Sequence, residues 1–123
     1  MTQIQITAGN VTMSATLNDS PTAQAIVDAL PIQASANCWG DEIYFGIPVS
    51  ASVEPDAQEI VDVGGLAYWP PGNAFCIFFG RTPASTDERP RAASVVNLLG
   101  MVDGDATKFR AVRNGEQVTI TQR

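Results

Sequence analysis

The sequence contains no histidine. That removes histidine-assisted serine and cysteine nucleophiles, imidazole metal ligands and the ordinary neutral-pH general base. Cysteine is scarce. Cys38 and Cys76 are the only two, too few for a zinc site, and in a cytosolic chain each reads as a structural thiol rather than half of a disulfide. Long hydrophobic runs are missing as well. Pro, Gly, Asn and Ser interrupt the uncharged stretches before they reach the roughly 20 apolar residues that cross a bilayer, and Met1 to Ile6 lacks the basic-then-apolar pattern of a secretory leader. A cytoplasmic protein without membrane partners is the expectation.

Positive charge is absent from residues 1 to 80, which carry eight acids between Asp19 and Asp62. All seven basic residues lie from Arg81 to Arg123, beside the remaining five acids, and the net charge is −6. A phosphate backbone would be repelled over most of such a surface, so nucleic acid is not an expected partner. The acids from Glu54 to Asp62 do not follow a calcium-loop pattern, and the glycines form no phosphate cradle. Neither a metal nor a cofactor is expected.

What is present suits one β-rich domain spanning 1–123. Apolar residues make up 45% of the 123 and charged residues 16%, enough to bury a core. Ile4 and Ile6 alternate with polar neighbours, Ala8-Gly9-Asn10 supplies a turn, and Val11, Met13, Ala15 and Leu17 recur at period two, which predicts a hairpin. Ser20 fits a helix N-cap, Pro21 the first helical position, and Ala23, Ile26, Val27 and Leu30 a single apolar stripe that Pro31 ends. Glu42 to Val49 places Ile43, Phe45 and Ile47 on one face and Glu42 and Tyr44 on the other. Glu54 to Glu59 reads as a polar turn. Leu66 to Trp69 reads as a strand, and Ala74 to Phe79, apolar on both faces, as one buried on both sides or lining a pocket. Gly80 to Arg91 is a polar loop and Ser94 to Val102 a further strand. Asp105 would cap a short helix over Ala106 to Arg113, and Val118 and Ile120 mark a closing strand. Many short strands with Gly/Pro-rich turns favour an antiparallel barrel.

Three blocks then resemble a known group. Leu17-Asn18-Asp19-Ser20-Pro21-Thr22-Ala23, Trp39-Gly40-Asp41-Glu42-Ile43-Tyr44-Phe45 and Tyr68-Trp69-Pro70-Pro71-Gly72-Asn73-Ala74-Phe75-Cys76-Ile77-Phe78-Phe79-Gly80 are similar, in that order, to a prokaryotic cyclophilin-like domain family of small proteins of uncertain function. The resemblance implies a mainly β fold, a closed eight-stranded antiparallel cyclophilin-like barrel capped by two short helices. It also raises peptidyl-prolyl isomerase activity. In true cyclophilins an arginine on a central strand hydrogen-bonds the prolyl nitrogen, and a histidine and a tryptophan line the rim. Glu42 to Val49, the corresponding strand, has no arginine. Lowering a rotational barrier of ~18–20 kcal/mol requires disrupting amide resonance, and the obvious donor is missing.

The candidate ligand-binding residues are Asn37, Trp39, Glu42, Tyr44, Tyr68, Trp69, Phe75 and Arg81. Aromatic side chains give rigid contact area with polar tips, which suits a concave site. Asn37 and Glu42 would orient a ligand, and Glu42 would bond a ligand amide or an arginine such as Arg81. Ser94 and Asn97 are weaker candidates for the same groove, and the Trp69–Pro70 bond is a candidate for the cis form. The expected function is binding of a peptide or small molecule in a groove on the barrel flank, without catalysis. The alternatives are a weak isomerase using Arg81 or another late arginine, and a structural module burying its aromatic patch in a homodimer; a monomer and a homodimer are both compatible with the sequence.

Overall fold

The computed structural model describes all of residues 1–123. The hairpin forms where alternation places it: β1 (Thr2–Ala8) pairs with β2 (Val11–Leu17), and Ile4 and Ile6 lie opposite Ala15 and Met13. Helix α1 (Pro21–Ala29) follows, with the Ser20 hydroxyl accepting from the Ala23 N–H at 3.2 Å, and it buries Ala23 and Ile26. The remaining strands are β3 (Ile32–Ser35), β4 (Asn37–Cys38), β5 (Glu42–Gly46), β6 (Gln58–Ile60), β7 (Gly65–Trp69), β8 (Ala74–Phe78), β9 (Arg91–Val102) and β10 (Gln117–Gln122).

These strands make one antiparallel sheet in the order β3-β10-β1-β2-β9-β7-β8-β5-β4, with β6 added beside β9. A closed eight-stranded barrel is therefore not what forms. There are ten strands, and no ladder joins the two ends of the path. The end strands β3 and β4 are successive in the chain, separated by Ala36: the first pairs with β10 and the second with β5. Covalent continuity, rather than a hydrogen-bonded seam, brings the ends of the rolled sheet together.

Three local expectations also change. The 54–59 segment contains the start of β6, because Gln58 and Ile60 find partners on β9. The helix after Asp105 is 3-10, over Ala106–Ala111, although Asp105 caps it through the Thr107 N–H at 3.0 Å. The cis bond is Leu30–Pro31, and Trp69–Pro70 is trans.

The interior of the roll holds one cluster of 26 buried apolar residues, among them Ile4, Ile6, Leu17, Ile43, Phe45, Ile77, Phe79 and Phe109. A second, smaller cluster lies on the other side of the sheet and comprises Val61, Ala67, Ala74, Cys76, Phe78, Ala92 and Val96. Strand β8 serves both: Phe75 and Ile77 point inward while Ala74, Cys76 and Phe78 point to the second cluster. This accounts for a strand that is apolar on both faces. It also places a buried apolar floor outside the main core.

Candidate functional site

A hollow of about 260 Å³ opens over that second cluster, lined by Trp39, Glu42, Tyr44, Trp69, Ala92, Ala93 and Val96. Each wall follows from strand phase. Side chains on a strand alternate faces, so Phe45 enters the core, stacked on Phe75 with ring centroids 5.4 Å apart, while Glu42 and Tyr44 turn outward. The β4–β5 turn is tight, with the Trp39 N–H donating to the Glu42 carbonyl at 2.9 Å. Gly40 supplies the left-handed backbone this needs, at φ +61°. Trp39 is thereby returned to the wall that Glu42 and Tyr44 share.

Across the hollow, Trp69 is the last residue of β7, just before the 3-10 turn Pro70–Gly72. Its indole N–H donates to the Ser94 hydroxyl on β9 at 2.7 Å, which holds the ring in place. The first half of β9 contributes Ala92, Ala93 and Val96. These are small or β-branched side chains that leave the space between the aromatic walls open.

Glu42 is the unusual member. It is 5% exposed, it lines the hollow, and no cationic side chain lines the hollow with it. Burial raises its carboxyl to about 7, partly opposed by the polar influence of the neighbouring Cys76 thiol. The Cys76 thiol is in turn pushed well up, first by its own burial and then by the Glu42 charge. The pair is a carboxyl that ionises near neutrality beside a thiol that stays protonated.

Sequence reasoning gathered eight residues, and the structure divides them. Trp39, Glu42, Tyr44 and Trp69 share the hollow. Tyr68 does not: it is fully buried in the main core, where its hydroxyl donates to the Val49 carbonyl at 2.7 Å and accepts from the Ala51 N–H at 3.2 Å. Phase decides this, because Tyr68 and Trp69 are adjacent and must face opposite ways. Phe75 is likewise interior. Asn37 is exposed on edge strand β4 and donates to the Tyr44 carbonyl at 3.2 Å. Arg81 is exposed in the loop after β8 and does not reach Glu42. Asp41 faces away from Glu42 and pairs with Arg110 at 3.0 Å.

Asn97 is fully buried, but as a structural anchor outside the hollow, donating to the Thr22 hydroxyl and the Ser52 carbonyl and accepting from the Glu54 N–H. Ser94 supports Trp69 from behind rather than lining the space. The residues missed were Ala92, Ala93 and Val96. No chemical signal marks two alanines and a valine as a wall, and only the pairing of β9 with β7 and β6 brings them there.

No group of three or more His, Cys, Asp or Glu side chains is placed to hold a metal ion. No helix is long and apolar enough to cross a membrane.

Comparison with known proteins gives the following. A family model described as cyclophilin-like matches residues 2–121. The solution structure of a hypothetical protein from Archaeoglobus fulgidus is similar at a TM-score of 0.84 and 38% identity, covering 99% of this chain and 95% of that one. The structure of McbB in complex with tryptophan is similar at a TM-score of 0.69 and 12% identity, covering 98% of this chain and 45% of that one. At that identity the second likeness is one of fold alone. No curated protein matches the chain.

Proposed function

The chain belongs to the cyclophilin-like family, and on that premise we propose that it is a binding module whose flank hollow takes a small molecule or a single side chain of a peptide. One observation carries the reading: a nearly fully buried carboxyl, Glu42, faces an open hollow walled by two tryptophans and a tyrosine, with no cationic side chain of its own chain there. Burying such a group costs stability unless something compensates it. Tertiary packing retains that cost at a place a ligand can reach.

The size supports a small occupant. At about 260 Å³ the hollow is slightly below the roughly 300–1,000 Å³ of drug-sized sites. Rigid aromatic walls supply apolar contact at little entropic cost, and Glu42 supplies orientation.

Isomerisation of prolyl bonds is not part of the proposal. The donor it would need is not at the hollow: Arg91 is held by Glu59 at 2.7 Å, and Arg81 lies in the exposed loop. A proline-isomerisation assay is expected to show only the spontaneous rate. The binding reading is tested by isolating the protein from unfractionated cell extract and determining its structure. Extra density between Trp39 and Trp69 is expected; side chains collapsed to fill the space would overturn the reading.

A further inference from the structure

Resting on the reading that the hollow is a ligand site, we propose that its occupant is a small organic ammonium ion, seated with its charge on Glu42 and its body against Trp39, Tyr44 and Trp69. Two geometric features of the site select a cation. The carboxyl is 5% exposed and aimed into the hollow, and no Lys or Arg lines that space to neutralise it. The walls are aromatic, and the faces of such rings attract cations, more strongly once water is excluded. Burial also pushes the neighbouring Cys76 thiol well up, so it adds no competing negative charge.

The groups around Glu42 leave this balance intact. From β8 the one titratable group on its face is the Cys76 thiol, beside the apolar Phe78 opposite it, and from β5 itself the Tyr44 phenol shares its wall. Strand β7 presents Trp69, and β9 presents alanine and valine. Arg91, at the start of β9, is committed to Glu59 at 2.7 Å, and Asp41, on the turn, to Arg110 at 3.0 Å. A carboxylic acid or a phosphate would meet repulsion here. A neutral ligand would gain no charge pairing and would leave the carboxyl to take up a proton instead.

An ammonium group can come from a free amine or from a lysine side chain. The experiment separates these sources and separates the ligand class from the existence of the site. Titration calorimetry is run with 2-phenylethylamine, with its neutral counterpart 2-phenylethanol, and with N-acetyl-lysine N-methylamide; the two indole N–H resonances are followed by NMR to locate binding. One of the two cations is expected to bind at least tenfold tighter than the alcohol at pH 8.5 and to shift the Trp69 indole resonance, and which cation does so identifies the source. Because the ligand needs the ionised carboxyl, which titrates at about 7, affinity is expected to fall about 30-fold between pH 8.5 and 5.5. Glu42→Gln is expected to erase both the preference and the pH dependence.

Equal binding of alcohol and amine, a preference that survives Glu42→Gln, or an affinity flat with pH would each overturn the ammonium assignment while leaving a ligand site in place. If none of the three probes moves either indole resonance, the ammonium assignment and the binding reading fall together. The pH profile of the unsubstituted protein keeps the test independent of how well the variant folds.

Discussion

Trp69 and Ser94 are joined by a 2.7 Å hydrogen bond between the indole N–H and the hydroxyl, across two paired strands. The bond fixes one wall of the hollow from behind. Its partner is a residue the hollow itself does not see, so the position of Trp69 can be altered without changing the lining chemistry.

Ser94→Ala is therefore expected to leave the fold intact at a cost of about 1 kcal/mol, the usual net worth of a hydrogen bond whose donor is only half-buried. The indole N–H resonance of Trp69 should shift and broaden. An unchanged resonance would show that packing alone holds the ring.

Glu42 should write its burial into the stability curve. Its folded value of about 7 lies above the ordinary 4.5, so folding favours the protonated form. The corresponding stabilisation is fully present below pH 4.5, declines as the pH rises to 7, and is gone above that. The total is about 3 kcal/mol. Glu42→Gln, which cannot ionise, is expected to remove this decline. Chemical denaturation of both forms at pH 4.5, 5.5, 6.5 and 7.5 would show their difference growing with pH, and a constant difference would contradict the account.

Tyr68→Phe separates core from site. The substitution deletes the hydroxyl that serves Val49 and Ala51, leaving a buried carbonyl unpaired, at an expected cost of about 1–3 kcal/mol. Ligand affinity at the hollow should be unchanged, whereas Trp39→Ala should reduce it at least tenfold. A Tyr68→Phe variant that binds as poorly as Trp39→Ala would place Tyr68 back in the site.

Gly100→Ala probes the approach of β9 to β2. Gly100 sits at φ +149°, and a methyl group there would run into the Thr16 carbonyl oxygen. Since the obstacle is backbone, it cannot swing aside. A loss of at least about 3 kcal/mol is expected, read as a lowered denaturant midpoint.

Some of this is legible in one dimension because its cause is local. Period-two alternation alone separates Ile4 and Ile6 from their polar neighbours, and Phe45 from Tyr44. Ser20 caps α1 through a residue three positions on. The outward phase of Glu42 and Tyr44 needs nothing beyond strand geometry.

Adjacent residues mislead when they are grouped by chemistry. Tyr68 and Trp69 look alike as candidates, yet the pleat sends one to the core and the other to the hollow. Phe75 follows Tyr68 inward because the two are paired across β7 and β8.

Local alternation was thus enough to send Phe45 and Tyr44 to opposite faces of a β-sheet, though Tyr68 and Phe75 were separated from Trp69 only by the tertiary structure. The absence of histidine was enough to remove histidine-dependent chemistry. How the sheet rolls was not available there. The seat of β3 and β4 at opposite ends of the strand order, and the placement of β9 beside both β7 and β6, depend on contacts between residues far apart in the chain. Pairing of Glu42 with Phe78 on β8, above the second cluster, buries it, and that burial raises its carboxyl. A side chain's dielectric surroundings are set by what packs against it, and for Glu42 that packing comes from another strand, more than thirty residues on in the chain.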